Sequence, residues 1–169
     1  MKYCENCGNQ LQDREVGISW YCLGCKRYTY ANPVPVIDVM FTDEAGKILL
    51  GRRARDPEKG LLNLPGGFVD PNESFEEALA REIKEELDLD AADYGPFVYA
   101  GSRVFTHIQD GKERQLIGII MRSTLSHREF EPNEEVTEYV WMLPTDLTPE
   151  MVTGQAEYDH IMKATQLKQ

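Results

Sequence analysis

A glycine-rich loop and the helix that follows it carry most of the structural information in this sequence: Gly66-Gly67-Phe68-Val69-Asp70-Pro71-Asn72-Glu73, then Arg81-Glu82-Ile83-Lys84-Glu85-Glu86-Leu87-Asp88-Leu89. A helix is predicted over 75–87, because Ser74 and Glu77 have the spacing of a capping box. This helix has one apolar stripe, formed by Phe75, Ala78, Leu79 and Ile83. The loop therefore leads into an amphipathic helix rich in acidic residues.

The glutamates of this helix converge on one side. Residues three and four apart share a helix face, so Glu82, Glu85 and Glu86 project together within roughly a 100° arc. The alternative interpretation is a charged helix face that is simply exposed to solvent. Such a face would pair opposite charges, as Glu77 and Arg81 do. Glu82 and Glu86 do not fit this interpretation, because like charges four apart destabilise a helix by about 0.2–0.5 kcal/mol. The pattern favours a bound cation, and hard oxygen ligands suit Mg²⁺ or Mn²⁺.

This spacing resembles the signature of the Nudix hydrolase family: Gly, five residues, Glu, seven residues, Arg-Glu, an aliphatic residue, any residue, Glu-Glu, any residue, Gly and an aliphatic residue. The matching positions here are Gly67, Glu73, Arg81, Glu82, Ile83, Glu85, Glu86 and Leu89. Asp88 stands where the family has glycine. Left-handed backbone is common just past a helix end, and aspartate tolerates it better than most residues. The departure should cost some stability and leave the acidic face intact.

The resemblance implies a Nudix-type α/β/α sandwich with a mixed sheet, and a metal-dependent hydrolase that cleaves a diphosphate linkage. By position, Glu82, Glu85 and Glu86 would ligate the catalytic Mg²⁺ or Mn²⁺. Glu73 would be a supporting carboxylate, and Arg81 would orient the glutamates by ion pairing. A divalent cation would neutralise the diphosphate and lower the pKa of an attacking water.

The general base of the family varies and can come from a later loop. Glu134 and Glu135, in Glu131-Pro132-Asn133-Glu134-Glu135-Val136, are the candidates here. The alternative is that this segment is a solvated turn. Both glutamates are predicted catalytic residues.

Substrate contacts are predicted at three places. The loop glycines Gly66 and Gly67 are the first. Arg52 and Arg53 are the second, within the strongest local positive cluster, which also holds Arg55 and Lys59; guanidinium groups suit phosphate oxygens, and an exposed basic turn is the alternative. Asp38 is the third: it interrupts an apolar strand and indicates either a hydrogen-bond acceptor facing a pocket or an edge position.

The remaining pattern predicts strands and one further helix. An apolar strand over 34–41 is followed by a hairpin turn over 42–46 and a returning strand over 47–51. A loop covers 64–67, with Phe68 and Val69 extended. Further strands are predicted over 97–103, 115–122 and 138–143, and a terminal helix over 156–163. Strands mixed with two helices indicate an α/β sandwich.

All four cysteines lie near the N-terminus, as Cys4, Cys7, Cys22 and Cys25. Two Cys-x-x-Cys pairs separated by fourteen residues are typical of a four-cysteine zinc site. Tetrahedral thiolate coordination would hold a segment too small for its own core. A redox pair or disulfides are the alternatives. The spacing predicts a structural zinc ribbon over 1–30 and a second domain over 31–169, with the boundary near Ala31.

A zinc ribbon ahead of a Nudix domain resembles the NADH pyrophosphatase group. That group carries a Ser-Gln-Pro-Trp element after the signature, and the nearest counterpart here is Ser102-Arg103-Val104-Phe105. The missing element argues against NADH specificity. The proline that marks the ADP-ribose subgroup is also absent, since Val104 and Phe105 occupy its place.

Composition limits the partners. The 169 residues carry a formal charge of −11, with a pI near 4.7, so broad electrostatic binding to DNA or RNA is not expected. The ribbon is nearly neutral, which favours a structural or dimer-forming role. No secretory signal or membrane span is predicted, and a cytoplasmic protein is expected.

The leading hypothesis is a hydrolase of nucleoside-diphosphate derivatives, with dinucleotide cofactors such as NADH or FAD and ADP-ribose ahead of triphosphates. The alternative is a Nudix-fold module that senses a nucleotide without turnover. An RNA-processing factor tethered by the ribbon is disfavoured by the charge balance.

Overall fold

The computed structural model describes residues 2–109 and 112–166. The chain divides into two compact units, Met1–Pro33 and Val34–Gln169. The division therefore falls just after Pro33, close to the position where the sequence changes from polar and cysteine-bearing to apolar.

The first unit is a three-stranded antiparallel sheet beside a cysteine cluster. Its strands, in spatial order, are β1 (Gln12–Glu15), β2 (Ser19–Tyr21) and β3 (Tyr28–Tyr30). Its buried apolar cluster consists of Cys4, Cys22, Leu11 and Trp20. So small an apolar cluster does not stabilise a folded unit by itself, so further cross-linking is required.

The second unit is built around a seven-stranded mixed sheet. Its elements are β4 (Val34–Thr42), β5 (Ile48–Arg53), β6 (Leu62–Asn63), β7 (Gly66–Phe68), α1 (Phe75–Leu87), β8 (Val98–Gln109), β9 (Lys112–Thr124), β10 (Val136–Met142), two short 3-10 turns (Pro144–Asp146 and Pro149–Met151) and α2 (Gln155–Gln166). The main strand order is β10-β5-β4-β9-β8, with β6 paired to β5 and β7 to β4. β4 and β9 run parallel, and the other pairs are antiparallel.

The two helices cover opposite faces of this sheet. Alternate residues of β4 point to opposite sides: Val39 and Phe41 pack with Ile83 of α1, whereas Met40 packs with Ile161 of α2. All five side chains are at most 1% exposed. The predicted α/β/α sandwich with a mixed sheet is confirmed.

Two strands are longer than the sequence predicted. The strands expected over 97–103 and 115–122 run instead over Val98–Gln109 and Lys112–Thr124. The side chains over 104–108 and 112–114 are exposed or half-buried, with Val104 and Ile108 both at 61%, so no alternation of buried apolar residues marks these extensions. β6 was not predicted, and of β7 only Phe68 was expected to be extended, because Leu62–Asn63 and Gly66–Phe68 are too short for a periodic pattern.

The ends of α1 follow the prediction closely. The amide of Glu77 donates to Ser74 Oγ at 3.2 Å, and the amide of Ser74 donates to Glu77 Oε2 at 2.8 Å. At the other end, Asp88 adopts the left-handed conformation, with φ 52° and ψ 36°, and its amide donates to the carbonyl of Lys84. The aspartate that replaces the family's glycine thus takes the backbone conformation for which glycine is usually required.

Ser74→Ala tests how much this cap stabilises the helix. Removing the hydroxyl leaves the Glu77 amide without its acceptor, and we expect a loss of about 1 kcal/mol in the free energy of unfolding. For a chain of this size the melting temperature falls by about 2–4 °C. Ser74→Thr keeps a hydroxyl and serves as the control; equal melting of wild type and Ser74→Ala would show that the cap is not stabilising.

Candidate active site

Arg81 links the carboxylates of α1 to the preceding loop. Its guanidinium donates two hydrogen bonds to Glu73, at 2.8 and 3.0 Å, and a third at 2.7 Å to Glu82. It reaches Glu85 at 3.4 Å and the carbonyl of Phe68 in β7 at 3.0 Å. Bidentate pairing of this kind fixes the orientation of planar groups. Arg81 therefore holds the acidic face of α1, which is Glu82, Glu85 and Glu86, against β7 (Gly66–Phe68), the glycine strand of this site.

Glu82 and Glu86 are the half-buried members of the acidic face. Burial raises the pKa of both; for Glu86 the pKa rises to about 8, with the charge of Glu82 adding to the effect. The amide of Gly66 donates to Glu86 Oε2 at 3.3 Å, which offsets only part of this cost. The side chain of Glu85 is 61% exposed.

The two glycines of β7 leave the space that these carboxylates occupy. A Cβ on Gly67 would lie 2.4 Å from Glu82 Oε1, and a Cβ on Gly66 would lie 2.2 Å from the carbonyl oxygen of Ile37 and 2.9 Å from Asp38 Oδ1. Real side chains do not make such contacts. Gly66 is thus required, because a Cβ there would meet backbone atoms, whereas a Cβ at Gly67 would displace the carboxylate of Glu82.

This donor set suits a hard divalent cation. Three carboxylates on one helix face, two of them half-buried, match the oxygen ligands of Mg²⁺ or Mn²⁺. Within residues 2–109 and 112–166, however, the glutamates do not form a compact group of potential ligands. Their like charges repel, and Arg81 draws Glu82 and Glu85 toward itself.

Asp38 lies on β4 directly opposite Gly66 of β7. Burial raises the pKa of its carboxyl group well above the usual range, and the charges of Glu157 and Glu86 add to this effect, whereas Arg103 opposes it. Asp38 is therefore in the interior of the sheet beside the candidate site and not at a sheet edge.

The structure separates the two candidate bases. Burial is the largest cause of the raised pKa values of Glu82 and Glu86, and the charge of Glu135 adds to both. The charge of Glu135 therefore acts on two carboxylates of the acidic face, Glu82 and Glu86. The side chain of Glu134 is 89% exposed and pairs with Arg55 at 2.8 Å.

The basic cluster is largely engaged in local contacts. Arg52 pairs with Glu138 and also donates to the carbonyl of Gly60 at 2.8 Å. Arg53 donates to the carbonyl of Pro57 at 3.1 Å, and its charge opposes the burial that raises the pKa of Glu86. Arg53 is therefore the member of the cluster that acts on the acidic face.

Comparison with known proteins agrees with this geometry. A family model for the NUDIX domain matches residues 32–163. The chain belongs to the NUDIX domain family. The matched region contains the glycine strand, the acidic helix and the sheet, and it begins where the cysteine-bearing unit ends.

Curated relatives share segments of this NUDIX domain. An ADP-ribose pyrophosphatase of Methanocaldococcus jannaschii is 46% identical over 65 residues, which are 38% of this chain and 38% of the relative. The nucleoside triphosphatase NudI of Escherichia coli is 36% identical over 92 residues, 52% of this chain and 65% of the relative. The NAD-capped RNA hydrolase NUDT12 of Pongo abelii is 35% identical over 95 residues, 50% of this chain and 20% of the relative. The matches thus span less than two thirds of each relative.

Solved structures share the NUDIX fold. A NUDIX hydrolase from Nitrosomonas europaea superposes with a TM-score of 0.65 at 22% identity and covers 98% of this chain and 91% of its own. A MutT protein from Methanosarcina mazei Go1 gives the same TM-score at 26% identity, over 80% of this chain and 96% of its own. These likenesses establish the fold.

The four cysteines in the unit ahead of the NUDIX domain lie close together. All their sulfur atoms are within 4.8 Å of one another; Cys4 and Cys25 are 3.5 Å apart, and Cys7 and Cys22 are 3.4 Å apart. A disulfide would need about 2.05 Å. Tetrahedral zinc with Zn–S bonds near 2.3 Å places sulfurs about 3.8 Å apart. Backbone hydrogen bonds are the largest cause of the lowered pKa values of Cys4 and Cys22, the latter falling to about 7. The pKa of Cys7 is lowered by a backbone hydrogen bond of Asn9 but raised by the thiol of Cys22 and by burial, and it rises to about 12. The spacing of the sulfur atoms therefore carries the argument for zinc.

Two residues that contact α1 were not predicted from the sequence. The hydroxyl of Tyr139 donates to the carbonyl of Glu86 at 3.0 Å, and Asn133 Nδ2 donates to the same carbonyl at 3.3 Å. Asn133 lies in a polar loop and Tyr139 in an ordinary strand pattern, so neither carried a signal. A further unpredicted cluster joins Arg103 of β8 to Glu157 and His160 of α2.

Proposed function

We propose that the protein is a Mg²⁺- or Mn²⁺-dependent hydrolase that cleaves the diphosphate linkage of a nucleoside-diphosphate derivative. The observation that carries this proposal is the pair of half-buried carboxylates, Glu82 and Glu86, beside β7. Removing carboxylates from water is costly unless they are paired or bind a metal. Membership of the NUDIX family supports a diphosphate as the group that the cation would meet.

Glu82, Glu85 and Glu86 would hold the cation. When bound, it neutralises charge on the diphosphate and lowers the pKa of an attacking water. Arg81 keeps Glu82 and Glu85 oriented, and Glu73 keeps the guanidinium in place. Gly66 and Gly67 allow the substrate-facing backbone to lie close to these groups.

Glu135 is the general base of this proposal. As the water oxygen attacks phosphorus, its proton passes to the carboxylate of Glu135, and the bond from phosphorus to the bridging oxygen breaks with its electrons on the departing phosphate. Glu134 is less suited, because it faces Arg55. Arg53 is the candidate phosphate contact, since it already acts on the acidic face.

Small nucleotides are the proposed substrates, with dinucleotide cofactors and ADP-ribose ahead of nucleoside triphosphates. The relative that is 46% identical is an ADP-ribose pyrophosphatase, whereas NudI, a nucleoside triphosphatase, is 36% identical. A net charge of −11 disfavours long polyanions as substrates.

The N-terminal unit is a zinc ribbon in this proposal, with the hydrolase domain over 31–169. Four free cysteines gathered into one cluster support zinc and a reducing, cytoplasmic setting. In the described residues, no helix has both the length and the apolar composition needed to cross a membrane.

A substrate screen tests the proposal directly. We expect purified protein with Mg²⁺ to hydrolyse ADP-ribose, NADH, NAD⁺ or FAD with a higher kcat/KM than any nucleoside triphosphate or dinucleoside polyphosphate, measured by phosphate and nucleotide release. Excess chelator is the control and should abolish turnover. A preference for triphosphates would overturn the substrate class, and tight binding of long RNA at physiological salt would revive the RNA-tethering hypothesis.

A further inference from the structure

The side chain of Asn133 bridges two parts of the candidate site. Its Oδ1 accepts hydrogen bonds from the amides of Glu135 and Val136, both at 2.8 Å. Its Nδ2 donates to the carbonyl of Glu86 and to the hydroxyl of Tyr139, at 3.3 and 3.1 Å. One exposed asparagine therefore uses both ends of its amide, one on the loop that carries Glu135 and the other on the last turn of α1.

Tyr139 completes this connection from the sheet. Its hydroxyl donates to the carbonyl of Glu86 at 3.0 Å, and its half-buried ring packs edge-on against Phe130 with the centroids 5.7 Å apart. The last carbonyls of a helix have no partner within the helix. Here the Glu86 carbonyl receives two side-chain donors, both attached to the segment that leads into and through β10.

We propose that Asn133 and Tyr139 are positioning residues that hold the Glu135 carboxylate at a set distance from the metal-binding face of α1. This inference rests on the proposed function, because it assigns a purpose to the connection only if Glu135 acts as the base. The geometry favours this role over a plain helix cap. A cap needs only donors to the Glu86 carbonyl, whereas Asn133 also binds the two amides at Glu135 and Val136.

A double-mutant cycle tests this assignment. Asn133→Ala, Tyr139→Phe and Glu135→Gln would be made singly, and each of the first two would be combined with Glu135→Gln. We expect Asn133→Ala to lower kcat by about 10–100-fold, as is usual for residues that orient catalytic groups, with KM little changed. In the Glu135→Gln background the same change should lower kcat by less than about twofold, because residues that act through one group are not additive.

The comparison has a matched control and a second variant. Glu131→Ala removes an exposed side chain from the same loop and should leave kcat unchanged. Tyr139→Phe is nearly isosteric and keeps the test decisive if Asn133→Ala fails to fold; its effect should also disappear in the Glu135→Gln background.

The other outcomes would overturn the inference. Wild-type kcat in Asn133→Ala and Tyr139→Phe, with Glu135→Gln impaired, would refute positioning and leave the proposed function intact. If Asn133→Ala and Tyr139→Phe lower kcat as much in the Glu135→Gln background as in wild type, these two residues act through Glu86 or through the stability of the fold. A wild-type kcat in Glu135→Gln would show that Glu135 is not the general base. The proposed hydrolase function would then still be tested by the substitutions of Glu85 and Glu86.

Discussion

Changing Glu85 or Glu86 to glutamine should lower kcat by about 100-fold or more. The substitution keeps side-chain shape and helix propensity but removes the charge with which a carboxylate holds Mg²⁺ or Mn²⁺. The cation would supply both charge neutralisation and water activation, so the two effects are lost together. Turnover with Mg²⁺ on the best screened substrate, measured beside thermal unfolding, gives the result.

The fold should survive both substitutions. Burial raises the pKa of Glu86 to about 8, so in metal-free protein at neutral pH this group takes up a proton on folding, at a cost in free energy that glutamine does not incur. Glu86→Gln should therefore melt no lower than wild type in metal-free buffer. Glu76→Gln, on the same helix in its exposed first turn, is the matched control and should be nearly silent. If Glu85→Gln and Glu86→Gln both retain wild-type turnover, the catalytic metal site lies elsewhere. If wild type itself has no turnover yet binds a nucleotide, the sensing module becomes the better hypothesis.

Loss of zinc should unfold the N-terminal unit. Purified protein should contain about one zinc per chain, and metal binding is then a large part of the free energy of folding for so small a unit. In Cys22→Ser the zinc content should fall well below one, and a low-temperature unfolding step should appear. The kcat of the NUDIX domain should change much less. Metal analysis, calorimetry and turnover measure the three effects.

Val16→Ser is a suitable control for the zinc experiment. Val16 is 90% exposed in the same unit, so its replacement should alter neither zinc content nor unfolding. Metal-free protein in reducing buffer, or disulfides between the cysteines, would contradict the zinc ribbon.

Local sequence rules were sufficient for α1 and for the ends that position its acidic face. The capping box at Ser74 and Glu77 and the left-handed residue at Asp88 depend on neighbouring atoms only, and the helix spans the predicted Phe75–Leu87. The cysteine spacing likewise predicted a cluster, because two Cys-x-x-Cys turns can converge with few intervening residues.

Tertiary structure was needed wherever a property depends on residues distant in the chain. The raised pKa of Asp38 depends on burial in the interior of the sheet and on Glu157, far away in sequence. The difference between Glu134 and Glu135 depends on Arg55 and on the acidic face of α1. Two adjacent glutamates look alike in a sequence, since neither burial nor a distant charge leaves a local pattern.

By itself the sequence determined the family, the mixed sandwich, the acidic helix and the cysteine cluster, because each depends on short-range spacing or on periodic burial. Only the tertiary structure decided that Glu134 pairs with Arg55 whereas the charge of Glu135 acts on Glu82 and Glu86. It also decided that the arginines are largely paired, and that Asn133 and Tyr139 join β10 and its loop to the end of α1. Contacts of this kind form when the chain brings remote segments together, and the free energy they contribute depends on that arrangement.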